Sequence, residues 1–224
     1  MKKRKVELVV ISDVHLGTFG CHAKELLLYL NSIDPRRLIL NGDIIDIWQF
    51  RKRYFPKSHL EVIKKIIDLS ANGTEVIYIT GNHDDILINR FLNWWLLKMK
   101  KEKFSLSKKI KNGVKKAVKH INDFEQIASD LAIEKNYKYV VCGHIHQPQI
   151  VRKVNRNGTC LYLNSGDWVE NLTSLEYNQK RWKLYQFHKD DYDTINTSEV
   201  EKNIHKEFQD VLAAITIISN KISN

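Results

Sequence analysis

The sequence predicts an α/β fold built on a largely parallel sheet with flanking helices. Apolar runs rich in β-branched residues alternate along the chain with segments of helical periodicity, and this alternation is typical of α/β proteins. The first run, Val6–Ile11, is apolar at every position except Glu7, which predicts a strand buried on both faces. The chain has 224 residues, of which 43% are hydrophobic, so we expect a single domain spanning residues 1–224.

The remaining predicted elements continue this alternation. The predicted helices cover residues 23–33, 60–69, 90–118 and 123–135, and a C-terminal helical segment lies within 198–224. The predicted strands after the first cover residues 37–40, 75–80, 137–142, 160–163 and 181–187. Asn178-Gln179-Lys180 precedes the last strand and predicts a hairpin turn.

Composition argues against several classes of protein. The three cysteines, Cys21, Cys142 and Cys160, are odd in number and have no paired spacing, which argues against a disulfide framework and for a reducing compartment. The apolar run after the basic N-terminus is too short for a signal peptide. No run approaches about 18 apolar residues, so we expect no membrane-spanning helix. From these features we expect a cytoplasmic location.

Four short polar motifs follow four of the predicted strands. They are Asp13-Val14-His15, Gly42-Asp43-Ile44-Ile45-Asp46, Gly81-Asn82-His83-Asp84 and Gly143-His144-Ile145-His146. Any one of them also fits a helix cap or an Asx turn. Loops beyond the carboxyl ends of strands form the ligand sites of α/β sheets, so we expect all four to converge at one sheet edge. Carboxylate, amide oxygen and imidazole without thiolate are ligands of divalent first-row metals.

These motifs resemble those of the calcineurin-like metallophosphoesterases over residues 6–84 and 138–170. Within that superfamily the chain looks most similar to bacterial UDP-2,3-diacylglucosamine diphosphatases and their relatives. The lysine-rich segment after the third motif and the stretch Asn164-Ser165-Gly166-Asp167-Trp168 carry this closer resemblance. The resemblance implies a layered sheet with flanking helices and a lysine-rich helical cap over residues 90–136.

The resemblance also implies roles for the motif residues. The first of two cations is held by Asp13, His15 and His146. Asn82 and His144 hold the second cation, and Asp43 bridges the two. Paired cations of this kind can activate water and neutralise phosphoryl oxygens. Mn²⁺ is the metal that we expect, with Mg²⁺, Fe²⁺ and Zn²⁺ as alternatives that ligand type alone does not separate.

Two further residues of the third motif are implied to act beside the attacked phosphate. His83 serves as an acid or charge stabiliser, and Asp84 orients it. The resembled family carries one more metal-binding histidine, in a His-Gly-Asp context between the third and fourth motifs. Here the only histidine between His83 and His144 is His120, which lies in a lysine-rich stretch. This departure predicts a weaker second metal site, and it leaves open impaired activity or a non-catalytic remnant.

The positive charge of the chain is concentrated in one segment. The net charge is +10, and residues 98–119 hold ten lysines and one acid, directly after an apolar stretch that contains Trp94 and Trp95. One interpretation is a core-facing helix with a basic outer face. A second is a cap in which Trp94, Trp95, Lys98 and Lys101 meet acyl chains and phosphates of a substrate or an anionic membrane. A third is a nucleic-acid surface.

These observations lead to an expected activity. The resemblance favours hydrolysis of the diphosphate of UDP-2,3-diacylglucosamine, or of a similar lipid-linked nucleotide in lipid A-type biosynthesis, by an enzyme peripheral to the inner membrane. A nuclease or nucleotide phosphodiesterase using the same metals is the alternative enzyme. The sequence does not select an oligomeric state.

Overall fold

The computed structural model describes residues 3–46, 55–81 and 121–192. The chain divides into two compact units, residues 1–187 and 188–224. The described helices of the first unit are α1 (Ala23–Ser32), α2 (Lys57–Ala71) and α3 (Ile121–Glu134). Its described strands are β1 (Arg4–Ile11), β2 (Ile33–Asn41), β3 (Glu75–Ile79), β4 (Tyr139–Cys142), β5 (Gln149–Asn155), β6 (Gly158–Asn164), β7 (Thr173–Asn178) and β8 (Arg181–Gln186). The described part of the second unit contains a 3₁₀ turn, Lys189–Asp191.

The strands form two mixed sheets. The larger has the order β3-β2-β1-β7-β8, with parallel pairing among β1, β2 and β3 and antiparallel pairing of β7 with β1 and β8. The smaller has the order β4-β6-β5, in which β4 and β6 are parallel and β5 and β6 antiparallel. The α/β class is confirmed. The expectation of one largely parallel sheet is wrong, because short hairpins join β5 to β6 and β7 to β8, and strands joined by tight hairpins pair antiparallel.

Strand β1 lies at the centre of the larger sheet, and its last residues, 9–11, are buried on both faces. On one face Val9 and Ile11 pack with Leu30 of α1 and with α2. On the other face Val10 packs with Leu163 of the smaller sheet. Helix α3 covers the far side of the smaller sheet through contacts with β4, β5 and β6. The first unit therefore stacks helices, larger sheet, smaller sheet and helix, which brings the ends of β1, β2, β4 and β6 near one another.

Several predicted elements are found close to their expected places. The helices predicted over 23–33, 60–69 and 123–135 correspond to α1, α2 and α3. The hairpin turn before β8 is confirmed, because Gln179 and Lys180 have φ of 49° and 61°, as the preferred two-residue hairpin turn requires. Strands β5 and β7 were not predicted. The helical segments predicted within 90–118 and 198–224 lie outside the described residues and stay predictions.

No helix among the described residues is long and apolar enough to cross a membrane.

Candidate metal centre

The loops after β1 and β2 run side by side and hold the first two motifs together. The backbone N–H of Asp13 donates to the Gly42 carbonyl at 3.1 Å. The Asp43 carbonyl accepts from the N–H groups of both Val14 and His15 at 3.0 Å. The side chains of Asp13 and Asp43 are consequently fixed next to each other, and these residues are only 1% and 3% exposed.

The five predicted ligands that the structure describes share an uncommon backbone conformation. Nine described non-glycine residues have positive φ, and five of these are predicted metal ligands: Asp13 (50°), His15 (53°), Asp43 (52°), His144 (70°) and His146 (50°). Non-glycine residues seldom adopt this left-handed region, which costs each of them on the order of 1–3 kcal/mol. Such conformations cluster at functional sites, where the surrounding structure enforces them. The backbone thus marks the same five positions that the motifs marked.

Glycines beside the motifs leave room for the two carboxylates. A β-carbon at Gly81 would overlap the side chain of Asp43, and one at Gly143 would overlap the carboxylate of Asp13 and lie 2.6 Å from the Ser12 hydroxyl. The lack of space for a β-carbon therefore accounts for glycine at these positions.

Five of the six predicted metal ligands form two overlapping groups. The ligand atoms of each group lie within 4.8 Å of one another, and the groups are Asp13-His15-His146 and Asp13-Asp43-His144. The sixth predicted ligand, Asn82, lies outside the described residues. In the described chain the carboxylate common to both groups is Asp13, whereas the resemblance gave the bridging position to Asp43.

The donor set fits divalent cations. Two buried carboxylates stand within ion-pair range of imidazoles, with His144 Nδ1 3.6 Å from Asp43 Oδ2 and His146 Nε2 3.5 Å from Asp13 Oδ1. Buried negative charge is costly unless positive charge lies beside it. Carboxylate oxygens and imidazole nitrogens are ligands that Mn²⁺, Fe²⁺ and Zn²⁺ accept. The arrangement therefore provides charge, donor type and proximity for cation binding.

The same carboxylates set the protonation of the histidines. Interaction with Asp43 raises the pKa of His144, and interaction with Asp13 raises the pKa of His146, each against an opposing effect of burial. A metal ion binds the neutral ring, so it competes with protons at both positions.

The loop after β6 closes the centre from the smaller sheet. The hydroxyls of Ser12 and Ser165 lie 2.7 Å apart, and Ser12 also donates to the Gly166 carbonyl at 2.9 Å. The backbone N–H of Trp168 donates to the carbonyl of Asp13 at 3.1 Å. Both serines are fully buried. Sequence analysis singled out the stretch that contains Ser165, but it missed Ser12, whose one available signal was its position directly before Asp13 at a strand end.

The other predicted site residues lie outside the described part of the chain. They are Asn82, His83, Asp84, Trp94, Trp95, Lys98 and Lys101. Their predicted roles in metal binding, catalysis and substrate binding stay predictions.

Comparison with known families agrees with this geometry. The model of the calcineurin-like phosphoesterase superfamily domain matches residues 6–180, which contain the predicted metal ligands. The chain belongs to this superfamily. A calcineurin-like phosphoesterase is a metal-dependent hydrolase of phosphoric esters, and the resemblance drawn from the motifs is confirmed at that level. No curated protein matches the chain significantly.

Proposed function

We propose that this phosphoesterase uses two cations to hydrolyse the diphosphate of an acylated nucleotide sugar such as UDP-2,3-diacylglucosamine. The products would be UMP and the acylated sugar 1-phosphate. The observation that carries the two-cation part is the pair of three-residue ligand groups that share Asp13. A shared carboxylate is what two adjacent cations require in order to be held close together.

The described residues would provide one ligand group for each cation. His15 and His146 complete the first group, and Asp43 and His144 complete the second. Divalent cations in such a centre supply Lewis-acid activation of water and neutralisation of phosphoryl oxygens. The protein holds the acceptor side chains in place through the β1 and β2 loops, and His83 and Asp84 would act next to the phosphate.

The second ligand group could hold a cation without the additional histidine that the resembled family carries. Asp13, Asp43 and His144 already provide three ligands without it, and Asn82 would add a fourth. Two of the three are buried carboxylates, which provide the charge that a cation needs. This composition favours an occupied second site over a non-catalytic remnant. Mn²⁺ remains the proposed metal.

The acylated substrate is proposed from the charge and aromatic pattern of the sequence. Ten lysines within residues 98–119 would meet phosphates, and the apolar stretch with Trp94 and Trp95 would meet acyl chains. The same segment would hold the enzyme at the anionic surface of the inner membrane, at roughly 1 kcal/mol per lysine near the surface.

The test combines metal analysis with substrate assays on the full chain. Protein loaded with Mn²⁺ is analysed for metal content and assayed on UDP-2,3-diacylglucosamine and on bis(p-nitrophenyl) phosphate. We expect two ions per chain and turnover of both compounds. The variant Asp43→Asn should lose both activities, whereas the control Asp34→Asn, an exposed aspartate at the start of β2, should keep them. Turnover of the soluble diester alone would overturn the lipid substrate. One ion and no turnover would overturn the two-cation enzyme.

A nuclease is the second candidate, and the interleaving of lysine with aromatic residues favours it. It predicts cleavage of single-stranded DNA or RNA with binding that weakens steeply as salt increases. Cleavage of a diacylated nucleotide sugar with no effect of added oligonucleotide would argue against this candidate.

A further inference from the structure

His146 lies between two carboxylates, and one of them is outside the ligand groups. Its Nε2 atom is 3.5 Å from Asp13 Oδ1, and its Nδ1 atom is 3.8 Å from Asp167 Oδ2. Asp167 follows β6 and is fully buried. One ring nitrogen of His146 therefore faces the metal centre, and the other faces a separate buried carboxylate.

The carboxylate of Asp167 is held firmly in this position. Its Oδ1 atom accepts hydrogen bonds from three successive backbone N–H groups, those of Val169 (2.8 Å), Glu170 (2.5 Å) and Asn171 (3.2 Å). Its Oδ2 atom accepts from Asn171 Nδ2 at 2.5 Å. A carboxylate that accepts four N–H groups is acting in its acceptor-only, ionised form. Oδ1 is thereby saturated, and Oδ2 is the oxygen that faces His146.

Asn171 connects the carboxylate to the backbone of the histidine. Its Nδ2 atom also donates to the carbonyl of His146 at 2.9 Å. His146 has a φ of 50°, so its backbone conformation needs support from its surroundings. One side-chain amide thus contacts both the backbone of His146 and the carboxylate that faces its ring.

We propose that Asp167 is a positioning residue that favours the Nδ1–H tautomer of His146 and so presents the Nε2 lone pair to the metal centre. Each ring nitrogen faces a carboxylate, so in metal-free protein Asp13 favours the hydrogen at Nε2 whereas Asp167 favours it at Nδ1. Nδ1 is the nitrogen that must carry the hydrogen when Nε2 is a ligand atom. The separation of 3.8 Å exceeds hydrogen-bond length, so Asp167 acts on the ring by electrostatic orientation. The inference rests on the proposed function, since it assigns cation binding to His146.

The first test measures Mn²⁺ affinity of the full chain by calorimetric titration. Asp167→Asn should weaken binding by about 10- to 100-fold, the effect typical of removing an outer partner of a ligand histidine. Asn171→Ala leaves the three backbone hydrogen bonds of Asp167 in place, and it should weaken binding by about 2- to 10-fold. The control Asp34→Asn makes the same chemical change on an exposed side chain and should leave affinity unchanged.

The second test reads the tautomer directly and needs no metal. Nitrogen-15 spectra of the imidazole rings, recorded on metal-free protein at a pH at which His146 is neutral, distinguish Nδ1–H from Nε2–H. The Nδ1–H fraction of His146 should be lower in Asp167→Asn than in the unsubstituted protein. A merely structural role of Asp167 would not move this ratio in a variant that keeps its melting temperature.

The outcomes separate this inference from the proposed function. Unchanged tautomer ratio and unchanged affinity in a folded Asp167→Asn protein would overturn the positioning role. If that variant does not fold, an unchanged Mn²⁺ affinity in Asn171→Ala, for which a loss of about 2- to 10-fold is expected, overturns it. Absence of Mn²⁺ binding to the unsubstituted chain would overturn the proposed function, while the tautomer shift would still stand for Asp167.

Discussion

Replacing Asp13 with asparagine is the most direct perturbation of the metal centre. Asp13 belongs to both ligand groups and is 1% exposed. Asparagine has nearly the same shape and keeps one oxygen, which can still accept the hydrogen bond that the His144 N–H donates to Asp13 Oδ2 at 2.8 Å. The substitution therefore removes one negative charge with little change in packing.

The size of the effect follows from the burial of that charge. At an effective dielectric constant of about 20, unit charges about 4 Å apart interact by roughly 4 kcal/mol. A loss of that size is about a thousandfold in affinity for each cation. At saturating metal it also removes roughly 4 kcal/mol of ligand-dependent stability for each cation. Because about 1 kcal/mol shifts the melting temperature of a chain of this length by about 2–4 °C, the metal-dependent rise should fall by roughly 8–16 °C for each cation.

The assay compares metal content and Mn²⁺-dependent melting temperature among matched variants. Asp13→Asn should lose both ions, whereas His15→Ala and His144→Ala should each lose one. Asp34→Asn should retain both. If Asp43→Asn loses both ions while Asp13→Asn loses only one, the bridging position belongs to Asp43 and the reasoning from the shared ligand group is refuted.

Three other predictions concern packing, pH dependence and the membrane. In Gly143→Ala the added β-carbon would overlap the Asp13 carboxylate. Thermal unfolding should therefore show a free energy of unfolding that is lower by about 1–3 kcal/mol, and titration should show a weaker Mn²⁺ affinity. Full retention of stability and affinity would contradict the steric argument. Burial lowers the pKa of His59, whose Nδ1 accepts from the Gly17 N–H at 2.8 Å. In the unfolded chain this histidine has its ordinary pKa of about 6.5, so the unfolded state takes up the proton first as pH falls. Urea unfolding at pH 7.5 and 5.5 should therefore show a larger loss of stability in the unsubstituted protein than in His59→Gln. Equal losses in the two proteins would exclude His59 as the source of the pH dependence. Replacing residues 94–96 with serine should weaken binding to anionic liposomes while hydrolysis of a soluble diester continues, and a parallel loss of both would indicate a core segment instead.

The sequence predicted those elements whose burial follows a simple pattern. Residues 8–11 of β1 are all apolar because both faces of the strand are covered there, by α1 and α2 on one side and by the smaller sheet on the other. The ligand motifs were also readable, because they combine metal-binding side chains with strand ends. Five of the six predicted ligands accordingly lie within reach of a partner ligand in the described chain.

Strand β7 was missed because three of its four buried positions are polar. Thr173, Ser174 and Glu176 are all buried, so the strand lacks the apolar signal on which sequence analysis depends. Glu176 accepts hydrogen bonds from the guanidinium of Arg4 at 2.9 and 3.1 Å and from the hydroxyl of Tyr29 at 3.0 Å. Partners that are 147 and 172 positions away along the chain satisfy this carboxylate, and no local pattern contains that information.

Which carboxylate is common to the two ligand groups could likewise not be predicted from the sequence. Asp13 and Asp43 occupy equivalent places after neighbouring parallel strands, and their residue types are the same. They differ in their contacts with the fourth motif, which follows β4 of the smaller sheet. The backbone N–H of His144 donates to Asp13 Oδ2, and the ring nitrogen Nε2 of His146 faces Asp13 Oδ1. Both histidines of that motif therefore lie next to Asp13.

The metal centre is built mainly by the protein backbone, and this has a thermodynamic consequence. Five ligands in the left-handed region and two buried carboxylates each disfavour the folded chain without metal. The hydrogen bonds of the Asp43 carbonyl to two N–H groups, and of the Ser12 hydroxyl to the opposite sheet, hold the loops in place without involving a ligand side chain. The loops are therefore supported independently of the cations. Metal binding should consequently raise the melting temperature strongly while changing the far-ultraviolet circular dichroism little, and a large gain of secondary structure on metal addition would show that the loops are ordered by the metal instead.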